Sequence, residues 1–285
     1  MNLLSFLRRK TFARGVHPDA HKSTAGSPIR RMPFASRMIL PLAQHIGKPA
    51  VPLVRAGEEV MRGQPIARAD GFLSVPIHAP ADGVIEAIEL KPSARGPMVE
   101  CIVIRVYEAS TQEIRWAEHY DLDALSPKEL IQAIQDTGMV GLGGATFPSH
   151  AKLSVPGEFK IHTLIVNGCE CEPYLTCDHK LMLEHPDDLM VGTRLAMRAI
   201  GAERAIIGVE DNKLDAVEAI RRCLPADGRV TLQVVPTKYP QGAEKMLIKA
   251  TTRRIVPSGG LPMDVGVVNH NVGTAVAVAE ALKQG

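Results

Sequence analysis

The stretch GLGGATFPSHAKL, Gly141–Leu153, sets Gly141, Gly143 and Gly144 ahead of Phe147 and Lys152. Glycine lacks a Cβ, so the chain there can turn sharply, approach a ligand closely and aim amide N–H groups at phosphate oxygens. Lys152 adds a cation able to meet a phosphate or the edge of a polarised ring. The pattern is not the dinucleotide GxGxxG fingerprint, because it follows a helical segment and Phe147-Pro148 interrupts what comes next. On spacing alone, a tight helix-to-strand turn explains the glycines equally well.

Three more segments carry polar groups at element ends. In VNGCECEPYLTCDH, Val166–His179, the side chains of Asn167, Glu170 and Glu172 suit a ribose, a ribityl chain or a nicotinamide amide. Cys169, Cys171 and Cys177 offer thiolate ligands, but their spacing lacks a fourth nearby thiol, and the chain has neither paired CxxC motifs nor a ferredoxin run. Lining a cofactor pocket fits these cysteines better than metal ligation. In KYPQGAEKMLI, Lys238–Ile248, Tyr239 offers a ring and hydroxyl, Gly242 a close backbone approach and Glu244 a carboxylate; the same stretch reads as a helix start. In NHNVGTA, Asn271 and Thr274 precede an Ala/Val-rich helix whose N-terminus can receive an anion. His17 and His21 have a spacing that suits metal only on a helix, and Pro18 argues against one.

The positioning elements follow from periodicity. Ser126-Pro127-Lys128-Glu129 sets a capping box, and Leu130, Ile131 and Ile134 form one apolar face before Gly138 ends that helix. Downstream, strands over 162–167, 204–210 and 229–236 alternate with helices over 186–200 and 211–224. Such an order predicts a largely parallel sheet with ligands at the carboxyl ends of its strands. Between Met38 and Glu108 the chain instead shows short β-rich runs separated by turns, the pattern of a small barrel or sandwich. The phrases AGEEVMRGQPIA and VPIHAPADGVI resemble the biotinyl/lipoyl hammerhead. Carriers of that type present a lysine at an exposed hairpin, whereas this chain reads DGFLSVP there, which points to a docking scaffold. The expected fold class is therefore α/β: a basic arm over 1–37, a barrel-sandwich hybrid over 38–110 and a mainly parallel α/β domain over 120–285.

Composition bounds the rest. At 285 residues, 45% hydrophobic and 22% charged, the chain can bury one large core or two modest ones. The arm carries eight Lys/Arg against Asp19, leaving a remainder about five charges negative within a net charge of +2. That arm suits an anionic membrane surface, an acidic partner or free solution. No nucleic-acid partner is expected. Met1–Leu7 followed by Arg8-Arg9-Lys10 has the wrong order for an export signal, and no apolar run reaches the roughly 18 residues needed to span a bilayer. Five cysteines, an odd number, fit a reducing compartment.

Taken in order, these segments resemble the flavin subunit of respiratory complex I and, more closely, RnfC, a component of the Rnf ion-translocating electron transport complex. The HPDAHKSTAGSPIRRMP opening, the hammerhead, GLGGATFPSHAKL, VNGCECEPYLTCDH, YPQGAEKMLI and VGTA carry the likeness from about His17 to Gly285. The resemblance implies non-covalent FMN and NADH/NAD+, hydride exchange between them in either direction, and one-electron steps to iron–sulfur centres. It implies flavin contacts from Gly141, Gly143, Gly144, Lys152, Asn167, Glu170, Tyr239, Gly242, Asn271 and Thr274. Phe147 would stack on the nucleotide and Glu172 would bind its ribose or amide. The complex I protein has aspartate and serine where Cys169 and Cys171 stand. Family members also carry a module with two 4Fe-4S clusters, for which this chain has no ligand motif. Partners would be the other subunits of the Rnf complex, peripheral at the cytoplasmic face of the bacterial inner membrane. Two rival readings are a non-catalytic docking subunit and a metal protein built on the three clustered cysteines.

Overall fold

The computed structural model describes residues 11–94, 96–108, 113–117 and 119–284. They divide into two compact units: 11–29 with 153–279, and 30–152 with 280–284.

The second unit contains the β-rich runs. Strand β1 (Arg37–Pro41) pairs antiparallel with β7 (Met98–Val106), β7 with β6 (Gly83–Pro92), and β6 with β3 (Glu59–Val60). A smaller sheet joins β2 (Val51–Pro52), β4 (Pro65–Arg68) and β5 (Ile77–His78). Ile66, Ile77, Ile85, Ile102 and Ile104, drawn from both sheets, form one buried cluster, as a barrel-sandwich hybrid requires. Phe72, in the connection where a carrier would place its lysine, is 60% exposed. Helix α1 (Pro127–Asp136) belongs to this unit. Its capping box forms as expected: Ser126 N–H donates to the Glu129 carboxylate (2.8 Å) and Glu129 N–H to Ser126 Oγ (3.3 Å). Leu130 and Ile134 are buried; Ala133, not Ile131, completes the inward face.

The first unit is built on a four-stranded parallel sheet of order β10 (Val230–Val235), β9 (Arg204–Glu210), β8 (Thr163–Gly168) and β11 (Val267–Asn271). Strands β8 and β9 are nearly continuous buried runs, because helices pack against them. Those helices are α3 (Cys177–Glu184), α4 (Pro186–Ile200), α5 (Leu214–Cys223) and α6 (Glu244–Thr252). Helix α4 starts on Pro186 and ends on Gly201 in the left-handed conformation (φ 66°), the expected boundaries. Strand β11 and helix α3 fall outside the elements that periodicity predicts. The first contains Asn269 and His270 within a short VVNHN run, and the second lies in what reads as a polar loop. Strand β11 runs directly into α7 (Val272–Gln284).

Gly192 of α4 abuts the Ala275 carbonyl of α7 so closely that a Cβ would overlap it. Gly192→Ala should therefore lower the unfolding free energy by about 2–3 kcal/mol, read as a shift in urea midpoint at unchanged slope.

Candidate functional site

Because all four strands of the first unit are parallel, their carboxyl ends share one edge, and eight of the predicted residues stand there. Asn167, at the end of β8, bridges two connections: its Nδ2 donates to the Gly242 carbonyl (2.7 Å) and its Oδ1 accepts from Cys169 N–H (3.0 Å). Gly242 is required at this crossing, since a Cβ would come within 2.7 Å of the Cys169 carbonyl. At the end of β11, Asn271 Oδ1 accepts from the backbone N–H (3.0 Å) and the hydroxyl (3.3 Å) of Thr274, capping α7, while its Nδ2 donates to Asp178 (2.8 Å). Glu244 accepts from Asn269 (3.4 Å). Tyr239 and Glu172 are exposed at the same edge.

Glu170 is 3% exposed, and its carboxylate accepts from Cys177 Sγ (3.2 Å) and from the N–H groups of Asp178 (3.0 Å) and His179 (3.4 Å). It thus caps α3, whose first amides have no partner within the helix. The Glu170 N–H donates in turn to Glu210 Oε2 (2.9 Å), which pairs with Lys213 Nζ (2.6 Å). Both members of that ion pair are fully buried, and Glu210 Oε1 has no partner. Burial raises all three thiols: Cys169 lies well above its ordinary range, and Cys177, also held by Glu170, is pushed up to about 11. Among the described residues, these cysteines join no group of three ligand atoms within metal-binding reach.

The other five predicted residues lie in the second unit. The glycine loop is closed at its neck by Gly141 N–H to the Phe147 carbonyl (2.9 Å) and Ser149 N–H to the Met139 carbonyl (3.0 Å). Gly143 and Gly144 are exposed; Gly144 has φ +112° and open space around it. Phe147 is half-buried. The loop leads into a short helix, α2 (Ser149–Leu153), which carries Lys152, so it is not a helix-to-strand turn.

Sequence reasoning missed Lys22, Asp178, Glu210, Lys213 and Lys238 at the strand-end edge. Each acts through partners distant in sequence or through burial, which periodicity does not report. Burial, reinforced by the nearby Glu170 charge, raises the Asp178 carboxyl from 3.8 to about 6 despite the Asn271 hydrogen bond. A folded-state pKa above the unfolded one gives stability that is fully present below about pH 4 and lost as pH rises through about 6. Asp178→Asn should flatten the pH 4–7 segment of the stability profile by roughly 3 kcal/mol at most, measured by urea unfolding at each pH.

Comparisons with known proteins bear on the same residues. The Nuo51 FMN-binding domain family matches residues 134–280, and the RnfC barrel sandwich hybrid domain family matches residues 10–108. The chain is 42% identical to the C component of the Na(+)-translocating ferredoxin:NAD(+) oxidoreductase complex of Acetobacterium woodii, over 98% of this chain and 63% of that protein. It is 43% identical to the proton-translocating counterpart of Clostridium ljungdahlii, over 97% of this chain and 60% of that protein. It therefore spans about three fifths of the length of these relatives. Among solved structures, an air-oxidized NAD+-reducing NiFe hydrogenase aligns at 32% identity and TM-score 0.47, covering 57% of this chain and 31% of its own. With both domain families matched in order, the chain belongs to the RnfC family.

Proposed function

We propose that this chain binds FMN and NADH, with contacts from its strand-end loops, and exchanges a hydride between them as a peripheral member of an ion-translocating complex. The observation that carries the reading is the crossing of Asn167, Cys169 and Gly242, where two loops meet with no room for a side chain. Locked together in this way, the two loops keep a fixed spacing at the carboxyl ends of parallel strands, where ligands of such sheets bind. Beside it, Gln241 is fully buried with its Nε2 donor unpartnered, a group suited to a flavin carbonyl or a phosphate oxygen. Bound FMN would supply a two-electron exchange with nicotinamide and one-electron exchange with iron–sulfur centres outside the described residues.

The chain's own residues do the positioning. Asn167 fixes the spacing of two loops, Asn271 and Thr274 set the start of α7, and the exposed amides around Gly143 and Gly144 are available to an anion. Glu172 and Tyr239, both exposed, are assigned to the sugar or amide of the nucleotide. Glu170 acts indirectly, by holding α3. Among the described residues no helix is long and apolar enough to cross a membrane; the proposal places the protein at the cytoplasmic face, held by its partners.

FMN-soaked protein should emerge yellow, bleach with NADH and reduce an artificial acceptor; a chain that retains no flavin and shows no such activity refutes the proposal. Gly242→Ala should raise the FMN Kd at least about tenfold. Lys152→Ala should weaken FMN retention, and unchanged retention would remove that lysine from the site.

A further inference from the structure

By composition the arm suits an anionic membrane surface, an acidic partner or free solution; its residues 11–29 are instead bound along the strand-end edge of the first unit. Lys22 Nζ donates to the carbonyls of Glu170 (2.9 Å), Glu172 (2.8 Å) and Leu175. An ammonium has three donor hydrogens, so all are used, and the loop after β8 is wrapped around one cation as a cage of carbonyls. Flanking contacts fix the same loop. Thr24 and Thr176 hydroxyls lie 2.6 Å apart, Tyr174 N–H donates to the Ala20 carbonyl (3.0 Å), and the His21 and Tyr174 rings stack at 5.0 Å.

The arrangement is reversed at the loop after β10. There the lysine belongs to the loop: Lys238 Nζ donates to the carbonyls of Phe12 and Arg14 and sits 3.8 Å from the centre of the Phe12 ring. Val16 and Tyr239 exchange both backbone hydrogen bonds (2.9 and 2.8 Å), and Thr11 donates to Gln241 (3.1 Å). Burial lowers the pKa of both lysines, so their carbonyl partners stand in for lost water.

We propose that the N-terminal segment is a buckle for the nucleotide site, with Lys22 and Lys238 as positioning residues that hold the loops bearing Glu172 and Gly242 in their binding geometry. The inference rests on the FMN/NADH reading above. Removing the Lys22 ammonium leaves three carbonyl dipoles converging on nothing, and the loop opens.

The test uses the full chain with Lys22→Met, which keeps the length of the stem and deletes the charge. Hydrogen exchange should accelerate at least about tenfold in residues 169–176 and remain unchanged in β8–β11. The FMN Kd and the KM for NADH should each rise about tenfold, while kcat at saturation stays within about threefold. Thr24→Val, a milder lesion, should move the same readouts about threefold and serves if Lys22→Met fails to fold. Unchanged exchange in 169–176, or exchange accelerated equally through the sheet, overturns the buckle. So do nucleotide affinities equal to wild type in a variant whose loop has opened. Wild-type protein that binds no FMN refutes the nucleotide reading, and the proposal falls with it; wild-type that binds FMN alongside a variant that binds equally well refutes the buckle alone.

Discussion

A carboxylate removed from water at the end of β9 organises the edge of the parallel sheet. Glu210 has no solvent exposure, and a buried charge is tolerated only when ion pairing and hydrogen bonds replace its hydration. Lys213 supplies the pairing, and the Glu170 amide supplies the second donor. Once that amide is committed, the Glu170 side chain turns to cap α3. The helix then presents Asp178 to Asn271, and Asn271 caps α7. One relay thus runs from β9 through the β8 loop to the start of α7, and each link satisfies a polar group that would otherwise be orphaned. The strand-end loops are positioned by the sheet and this relay together, with little dependence on their own propensities.

Much of this frame was legible in the sequence. The capping box at Ser126, the Pro186–Gly201 boundaries of α4 and the apolar run of β9 are local signals, and local signals survive folding when tertiary packing agrees with them. The expectation of polar groups gathered at the carboxyl ends of parallel strands follows from element order alone, and eight of the predicted residues stand there. What was hidden had non-local causes. Helix α3 has no side-chain cap on Thr176; its cap is Glu170, outside the helix and upstream of it. Strand β11 is broken as an apolar pattern by Asn269 and His270, both buried in the fold. The role of Lys22 depends on carbonyls far along the chain, and no residue type announces a backbone partner.

The cysteines show what spacing in sequence leaves open. Three thiols close together in sequence invite a metal. In the fold, Cys169 backs onto the Gly208 carbonyl (3.8 Å), and Cys177 donates to Glu170. Desolvation raises all three thiols; Cys169 and Cys171 are buried near the strand ends, and Cys177 is exposed.

The bound N-terminal segment also carries a temporal consequence. Its hydrogen bonds to the sheet edge link residues separated by 148 to 230 positions, so these contacts can form only after residues 170–241 have been synthesised. Until then Lys22 lacks its carbonyl cage and the arm's positive charge is unscreened by its final neighbours. The strand-end edge is therefore complete only when residues 11–24 are seated on loops 148 to 230 positions further along the chain.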